Sequence, residues 1–191
     1  MSVIQKSLMG MSIALLIGSS AYAADDAGSG KLHFKGEVIN APCEIHPEDI
    51  DKTIELGTVS VKDINANHHS GAVPVDIRLI NCELQGSDNG SGEEISKVNV
   101  TFDSTSKTTA GTPMLANTST GEATGVGVMV LDKDQQPVTL GTVVADINLL
   151  PASGAQTLNF FAWMQQIDDT YTTQVTPGAV TAEATYVLNY K

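Results

Sequence analysis

The C-terminal stretch of the chain reads Val180-Thr181-Ala182-Glu183-Ala184-Thr185-Tyr186-Val187-Leu188-Asn189-Tyr190. Apolar and polar side chains largely alternate along it, and this period of two is typical of a β-strand with one buried face. The buried face would carry Val180, Ala182, Ala184, Tyr186, Leu188 and Tyr190. The pattern therefore predicts a strand that continues almost to the C-terminus.

Other segments show the same alternation. Residues 75–79 and 98–102 each place apolar side chains on one face, as expected of half-buried strands. Residues 158–164 are apolar on both faces for part of their length, which predicts a strand in the centre of a sheet. Residues 126–130 and 137–140 flank a polar run, and this arrangement predicts a hairpin with a turn at 132–136.

Clusters of Gly, Asn, Ser, Thr and Asp separate these segments at residues 86–92, 105–112 and 117–125. Sustained helical periodicity is hardly present, so helices should be few or absent. Many short strands joined by such clusters predict an all-β domain, a β-sandwich with Greek-key-like connections.

The overall composition agrees with one folded domain. The chain has 191 residues, of which 41% are hydrophobic and 17% charged, too apolar for wholesale disorder. Its formal net charge of −12 leaves no basic surface for gripping phosphates, so nucleic-acid binding is not expected.

The first residues have the form of a secretory signal peptide. Lys6 precedes a short apolar core, and Ala21-Tyr22-Ala23 has the small-x-small form that signal peptidase cleaves. We expect residues 1–23 to be removed, with cleavage before Ala24 or one residue later. No later stretch is apolar enough to predict a membrane anchor.

Export determines how the cysteines are interpreted. Cys43 and Cys82 are the only two thiols of the chain, and in an oxidising compartment a disulfide between them is the default expectation. The competing interpretation is a metal-binding or catalytic thiol. It is disfavoured because neither cysteine has a CxxC partner or a histidine at ligand spacing.

The sequence predicts no catalytic residue, metal site or cofactor. His68-His69 lies in a polar, Gly-ended run and not in a metal-binding helix, and Asp132-Lys133-Asp134 is better explained by the hairpin turn than by a calcium loop. The acidic run that follows Cys43 contains Glu44, His46, Glu48, Asp49 and Asp51 and is interpreted as a solvated face.

Trp163 could belong to a sugar platform, but on an apolar strand we expect it in the core.

The segment at 24–34 begins like a disordered tail and then alternates small or apolar residues with polar ones. Gly28, Gly30, Leu32 and Phe34 would share one face. By itself this pattern is compatible with a frayed terminus that leads into the first strand.

Several motifs, in order along the chain, carry a family resemblance. They are Gly30 to Cys43, Leu56-Gly57-Thr58-Val59, Val75 to Cys82, Gly125 to Asp132 followed by Pro137 to Gly141, and Gly178 at the fourteenth position from the C-terminus with Tyr190 penultimate. Together they closely resemble the chaperone–usher pilins of the type 1 fimbrial major subunit family. The resemblance spans essentially the whole chain after residue 23.

The resemblance implies an incomplete immunoglobulin-like β-sandwich that lacks its last strand, spanning residues 35–191. A neighbouring subunit would complete it by β-strand addition, with residues 24–34 as the donor and Gly28, Gly30, Leu32 and Phe34 facing inward. The C-terminal strand from Gly178 to Tyr190 would flank the acceptor groove and face the chaperone. The implied partners are a periplasmic pilus chaperone, an outer-membrane usher and identical or related pilins.

The implied function is that of a structural, non-enzymatic subunit, exported through the periplasm to an extracellular fimbrium that supports adhesion. A shaft subunit fits best, because a tip adhesin would carry an additional receptor domain. A minor adaptor or terminating pilin is an alternative. A second alternative, from a different class, is a secreted monomeric lectin-like β-sandwich with a disordered tail.

Overall fold

The computed structural model describes residues 31–33, 41–88, 90, 92–144, 146–151 and 154–191. The chain divides into two units, Met1–Val38 and Ile39–Lys191. In the first unit only residues 31–33 are described, and they are exposed and have no regular secondary structure. The signal peptide expected at residues 1–23 lies outside the described residues. All the strands and helices below belong to the second unit.

One sheet has five antiparallel strands. They are β1 (Glu44–Ile45), β2 (Val73–Ile80), β4 (Leu115–Ala116), β5 (Val126–Leu131) and β7 (Ala155–Gln166), arranged in the order β1-β2-β7-β5-β4. The long strand β7 pairs with β2 on one side and with β5 on the other. The prediction of a central strand at 158–164 is therefore confirmed.

The other sheet has three antiparallel strands. They are β3 (Lys97–Asp103), β6 (Ile147–Asn148) and β8 (Thr185–Tyr190), in the order β6-β3-β8. Val100 pairs with Leu188 at the centre of the β3–β8 ladder. Only residues 185–190 of the predicted C-terminal strand are paired in this way, and residues 180–184 form no named strand.

The main core consists of the inward faces of both sheets. Leu79, Leu158 and Phe160 come from the five-stranded sheet, and Val98, Val100 and Phe102 come from the three-stranded sheet. Phe102 and Phe160 meet edge to face, with ring centroids 4.9 Å apart. Alternating residues of each strand point inward, as period two requires. A sandwich of two sheets is thus confirmed.

A disulfide joins Cys43 to Cys82. Cys43 immediately precedes β1 and Cys82 follows β2 by two residues, so the bond links the outer ends of an antiparallel pair in which Glu44 lies opposite Ile80. The disulfide expected from the exported character of the chain is confirmed. Cys43 is itself buried in the main core.

In the described ranges two short helices interrupt the β-structure, which agrees with the expectation of few helices. Helix α1 spans Pro47–Ile50 and helix α2 spans Val61–Asn67. Ser60 caps α2, since its hydroxyl accepts a hydrogen bond from the Asp63 amide over 3.0 Å. His68 ends α2 in the left-handed conformation, with φ of 71°.

The predicted hairpin is also present. Strand β5 ends at Leu131, the Asp132 carboxylate accepts hydrogen bonds from the amides of Asp134 and Gln136, and the Val138 amide then donates to the carbonyl of Val130. The Asp132 side chain thus acts as the turn acceptor that its position suggested.

Trp163 packs against a second, smaller hydrophobic cluster and not in the main core, so the expectation of a core position is met only in part. On β7 the buried residues Phe160, Ala162 and Met164 face inward, so Trp163 lies on the opposite face of the sheet. There it is half-buried, packs with a smaller cluster that contains Met114 and Met129, and stacks on His69 at 4.0 Å between ring centroids. The apolar residues on both faces of this strand serve two separate clusters.

Candidate strand-acceptor groove

A long groove opens between two segments, of which only the last two residues of the second, Thr185 and Tyr186, belong to a sheet ladder. Residues 51–60 line one edge, and residues 176–186 line the other. The groove has a volume of about 1360 Å³. Pockets for small ligands typically enclose about 300–1,000 Å³, so this groove is large for a compact molecule and has the proportions of a site for a chain segment.

The floor of the groove is the main core itself. Side chains from both sheets reach it, among them Val75, Ile77, Phe102, Val128, Val130 and Ala162. The core is thus open along this groove. An apolar surface of this extent exposed to water marks an interaction site or an aggregation hazard.

Both edges offer unpaired backbone groups. Among the described residues, residues 51–59 make no backbone hydrogen bond, and neither do residues 182–184. On the far side of the second edge, the Thr181 amide donates to Asn117 Oδ1 over 2.9 Å, which holds that edge to the loop at 117–118. A row of free amides and carbonyls above an apolar floor is a template for an added strand.

Of the residues predicted to flank the groove, Gly178, Val180, Ala182, Ala184 and Tyr186 line it, whereas Leu188 and Tyr190 do not. Val180, Ala182, Tyr186, Leu188 and Tyr190 are half-buried and pack against the main core. Ala184 lines the groove but is exposed. Residues 181, 183, 185, 187 and 189 are exposed on the opposite face. The alternation read from the sequence therefore extends beyond the paired part of β8.

Gly178 has a specific steric reason to be glycine. A Cβ built on it would lie 2.3 Å from the backbone nitrogen of Ala123 and 2.5 Å from the carbonyl carbon of Glu122. The adjacent Ala179 pairs with Glu122 in an isolated parallel bridge. The missing side chain thus lets the start of this groove edge lie directly against the chain at 122–123.

At one end the two edges are tied together by Tyr186 and Asp49. The Tyr186 hydroxyl donates to the backbone carbonyl of Asp49 over 2.8 Å. Burial is the main cause that raises the pKa of Tyr186, so this hydroxyl stays protonated and able to donate. The bond joins the three-stranded sheet to α1.

Asp49 is a buried ion-pair residue, which corrects the expectation that its whole acidic run is a solvated face. Its carboxylate accepts hydrogen bonds from Arg78 Nε and Nη2, each over 2.9 Å, and from the Arg78 amide over 2.8 Å. Lys52 Nζ lies 2.9 Å from the same carboxylate. Hydrogen bonding from Arg78 holds the pKa of Asp49 well below its usual range, against the opposing effect of burial.

The other members of the acidic run are less buried. Glu44, Glu48 and Asp51 are exposed, and His46 is half-buried. Glu48 accepts a hydrogen bond from Arg78 Nη2 over 2.9 Å. The sequence contains a signal for the buried pair, since Arg78 is its only arginine and lies between the apolar residues Ile77 and Leu79 of β2.

A polar network joins the edges at the other end. Asn65, in α2, accepts a hydrogen bond on Oδ1 from the Val175 amide over 3.2 Å. The fully buried Gln166 donates to the Thr173 carbonyl over 2.9 Å, and its Oε1 lies 2.8 Å from His68 Nδ1. Helix α2 follows the first edge of the groove, and residues 173–175 precede the second edge. The network therefore holds the two edges together at this end of the groove.

The predicted donor positions fall mainly outside the described residues. Gly28, Gly30 and Phe34 are among those not described. Leu32 is 82% exposed and lies between the exposed residues Lys31 and His33.

No group of three or more His, Cys, Asp or Glu side chains in the described ranges has the arrangement of a metal site. None of the helices in this part of the chain is long and apolar enough to cross a membrane.

Comparison with known proteins agrees with this geometry. Residues 32–191 match the family model described as fimbrial protein. The chain is 61% identical over 187 residues to the uncharacterized fimbrial-like protein YbgD of Escherichia coli K12, covering 98% of each chain. It is 32% identical over 183 residues to the type-1 fimbrial protein A chain of the same strain, covering 93% of each.

The fold has a counterpart among solved structures. A chain from the structure of a chaperone–usher pilus, solved to explain rod uncoiling, superposes with a TM-score of 0.67 and is 26% identical. The match covers 86% of this chain and 97% of that one. The fold is thus the incomplete immunoglobulin-like sandwich of pilins.

The protein belongs to the fimbrial protein family. This is a family of structural proteins and not of enzymes, and its members are extracellular pilus components. A structural role for this chain has to account for its open groove.

Proposed function

We propose that the chain is a shaft subunit of a chaperone–usher fimbria and polymerises by donor-strand exchange. Residues 24–34 of one subunit would enter the groove of the next, and Gly28, Gly30, Leu32 and Phe34 would face its floor. The fibre built in this way would support bacterial adhesion. The observation that carries the proposal is the apolar groove whose two edges, residues 51–59 and 182–184, have unpaired backbones.

The groove favours an extended chain over a compact ligand. A strand laid between the edges could pair its amides and carbonyls on both sides, while every second side chain would enter the apolar floor. Glycines at 28 and 30 would allow the backbones to approach closely, and burial of Leu32 and Phe34 would contribute about 1.5–3 kcal/mol each. The 82% exposure of Leu32 leaves this gain available to an intermolecular contact.

Such a contact builds a fibre. The donor and the groove are different surfaces of one chain, so the contact is heterologous and propagates as an open filament unless its rotation closes a ring. Dissociation would reopen the core of a subunit and would therefore be slow. The resemblance to type 1 fimbrial proteins and to a subunit of a chaperone–usher pilus supports this assembly.

An open core also explains the proposed partners. During export the groove must be covered before a second subunit arrives, because exposed strand edges over apolar surface promote aggregation. A periplasmic chaperone would lend a strand for this purpose, and an outer-membrane usher would receive the complex. The final location would be the extracellular fimbrium.

Self-complementation tests the proposal. One form is the chain from residue 24 to Lys191, and the other carries a repeat of residues 24–36 after Lys191 through a flexible linker. Both are expressed in the periplasm with and without the cognate chaperone. We expect the first to aggregate or be degraded without the chaperone, and the second to be a stable monomer.

Two outcomes are decisive. A large gain in yield and in resistance to urea for the self-complemented form supports the strand-acceptor function. Equal stability of both forms contradicts it and favours a self-sufficient monomeric domain. A control in which the appended segment carries Gly28→Leu and Gly30→Leu should lose the gain, because the larger side chains would collide with the floor of the groove.

A further inference from the structure

The rim of the groove carries unpaired negative charge. The charged residues that line the groove are Asp49, Asp51, Lys52, Glu55, Asp76 and Glu183. Asp76 is half-buried and accepts a hydrogen bond from the side-chain amide of Asn159. Asp49 and Lys52 form an ion pair. Within the described part of the chain, Asp51, Glu55 and Glu183 have no ion-pair partner. The net charge of the rim is therefore negative, and each edge contributes to it.

Glu55 and Glu183 lie on opposite edges and point away from the floor. Glu55 is exposed between the half-buried residues Ile54 and Leu56, so its carboxylate belongs to the outer row of the first edge. Glu183 is exposed and follows the half-buried Ala182, which places it in the outer row of the second edge. The outward-facing side chains of an inserted strand would therefore lie beside Glu55 on one side and beside Glu183 on the other.

The later part of the N-terminal segment has the complementary charge, whereas the acidic residues Asp25 and Asp26 stand at its start. If Gly30, Leu32 and Phe34 face inward, then Lys31, His33 and Lys35 face outward. Lys31 and His33 are both exposed in the structure. A chain with a formal net charge of −12 thus concentrates two of its ten basic residues on the outer face of one short segment.

We propose that Glu55 and Glu183 form an electrostatic rim that selects a donor strand with a basic outer face, and that the matching donor is residues 24–36 of a second copy of this chain. The inference rests on the proposed strand-acceptor function and specifies which strand the groove accepts. A donor with acidic residues at the positions of Lys31 and Lys35 would add like charge between two acidic rows and would be rejected. The rim thus favours homotypic polymerisation.

Charge reversal on both sides of the contact tests the inference. The starting protein is the self-complemented chain with residues 24–36 repeated after Lys191. The donor variant carries Lys31→Glu and Lys35→Glu in the appended copy, and the rim variant carries Glu55→Lys and Glu183→Lys. Stability is measured by unfolding in urea, since guanidinium would itself screen the charges.

Each reversal alone should lower the ratio of folded to unfolded protein by about tenfold at low ionic strength, the order expected for several exposed charge pairs. The two reversals combined should restore the ratio to within about threefold of the starting protein. The effects should largely disappear at about 1 M salt, where the screening length falls to about 3 Å.

A matched control separates the rim from net charge. Glu83→Lys with Glu94→Lys makes the same change in charge at exposed residues that do not line the groove. This pair should not rescue the donor variant, and equal rescue would overturn the inference. Additive effects of the donor and rim reversals, with no rescue when the two are combined, would also overturn the inference. In that case the strand-acceptor function would still stand, provided that the unmodified appended segment stabilises the chain. Failure of the unmodified appended segment to stabilise the chain would overturn both.

Discussion

The hydroxyl of Tyr186 donates a hydrogen bond to the backbone carbonyl of Asp49 over 2.8 Å, and this bond joins the two edges of the groove at one end. Tyr186 belongs to β8 in the three-stranded sheet. Asp49 lies in α1 and is held to β2 of the five-stranded sheet by Arg78. The width of the groove at this end is therefore set by a contact between the sheets and not within one ladder.

Replacement of Tyr186 by phenylalanine removes that bond and retains the ring. We expect a loss of about 1 kcal/mol in the free energy of unfolding of the self-complemented chain, measured in urea. Tyr190→Phe is the matched control, since the hydroxyl of Tyr190 lies 3.4 Å from the Cys43 carbonyl and makes a weaker bond. A larger loss for Tyr190→Phe than for Tyr186→Phe would contradict the importance of the Tyr186 contact.

The Asp49 carboxylate should make stability sensitive to acid. Its pKa is held well below the usual range in the folded chain, so its contribution is present above about pH 4 and is lost progressively as the pH falls below that value. Asp49→Asn should cost about 2–3 kcal/mol at neutral pH, less than for a fully buried pair because the Arg78 side chain is 38% exposed.

Urea unfolding between about pH 7 and pH 2 checks this prediction. The difference between the native sequence and Asp49→Asn should shrink toward the acid end, because the Asp49 carboxylate of the unfolded chain takes up a proton there while the folded chain still holds it ionised. Asp51→Asn is the control, since Asp51 is exposed and has no ion-pair partner in the described part of the chain. An unchanging difference across this pH range would contradict the assigned role of Asp49.

Gly178→Ala should damage the start of the second groove edge. The new Cβ would lie 2.3 Å from the Ala123 nitrogen, so backbone has to move, and we expect a loss of about 1–3 kcal/mol or failure to accumulate in the periplasm. Gly71→Ala is the matched control, since nothing lies within 4 Å of its Cβ position. Equal stability of the two variants, measured by thermal unfolding, would refute the steric explanation.

Gly28→Leu and Gly30→Leu should each block fibre formation and leave the chaperone-bound subunit intact. The reason is a steric conflict between the leucine and the floor of a neighbouring groove. Electron microscopy of surface fibres, together with co-purification of the subunit with its chaperone, checks both parts. Normal fibres from both variants would reject the proposed inward positions of the donor.

The strands were predictable where one face is buried and the other is solvated. Residues 75–79 and 98–102 fall inside β2 and β3 because alternate side chains enter a core between two sheets. The sequence did not show to which cluster Trp163 belongs, because β7 packs apolar residues on both faces and alternation alone does not distinguish the main core from a second cluster. The capping sequence of α2, from Ser60 to Asp63, is a helix signal that strand periodicity does not reveal.

The candidate site was predictable only in part. The apolar face of the C-terminal strand is visible in the sequence, but its opposite edge at residues 51–60 forms no named strand and has only a short alternation at Ile54 and Leu56. The burial of Asp49 depends on Arg78, which is 29 residues away. Contacts of this kind arise from tertiary packing, so composition and local spacing do not disclose them.

Amide hydrogen exchange of the assembled fibres tests most directly whether the groove receives a strand. The proposed exchange predicts that alternate amides within residues 53–59 and 182–184, which have no backbone partner in the described subunit, are protected at least about tenfold relative to the exposed turn at Lys133. Exchange at all of these amides as fast as at Lys133 would contradict the central claim that a neighbouring chain fills the groove.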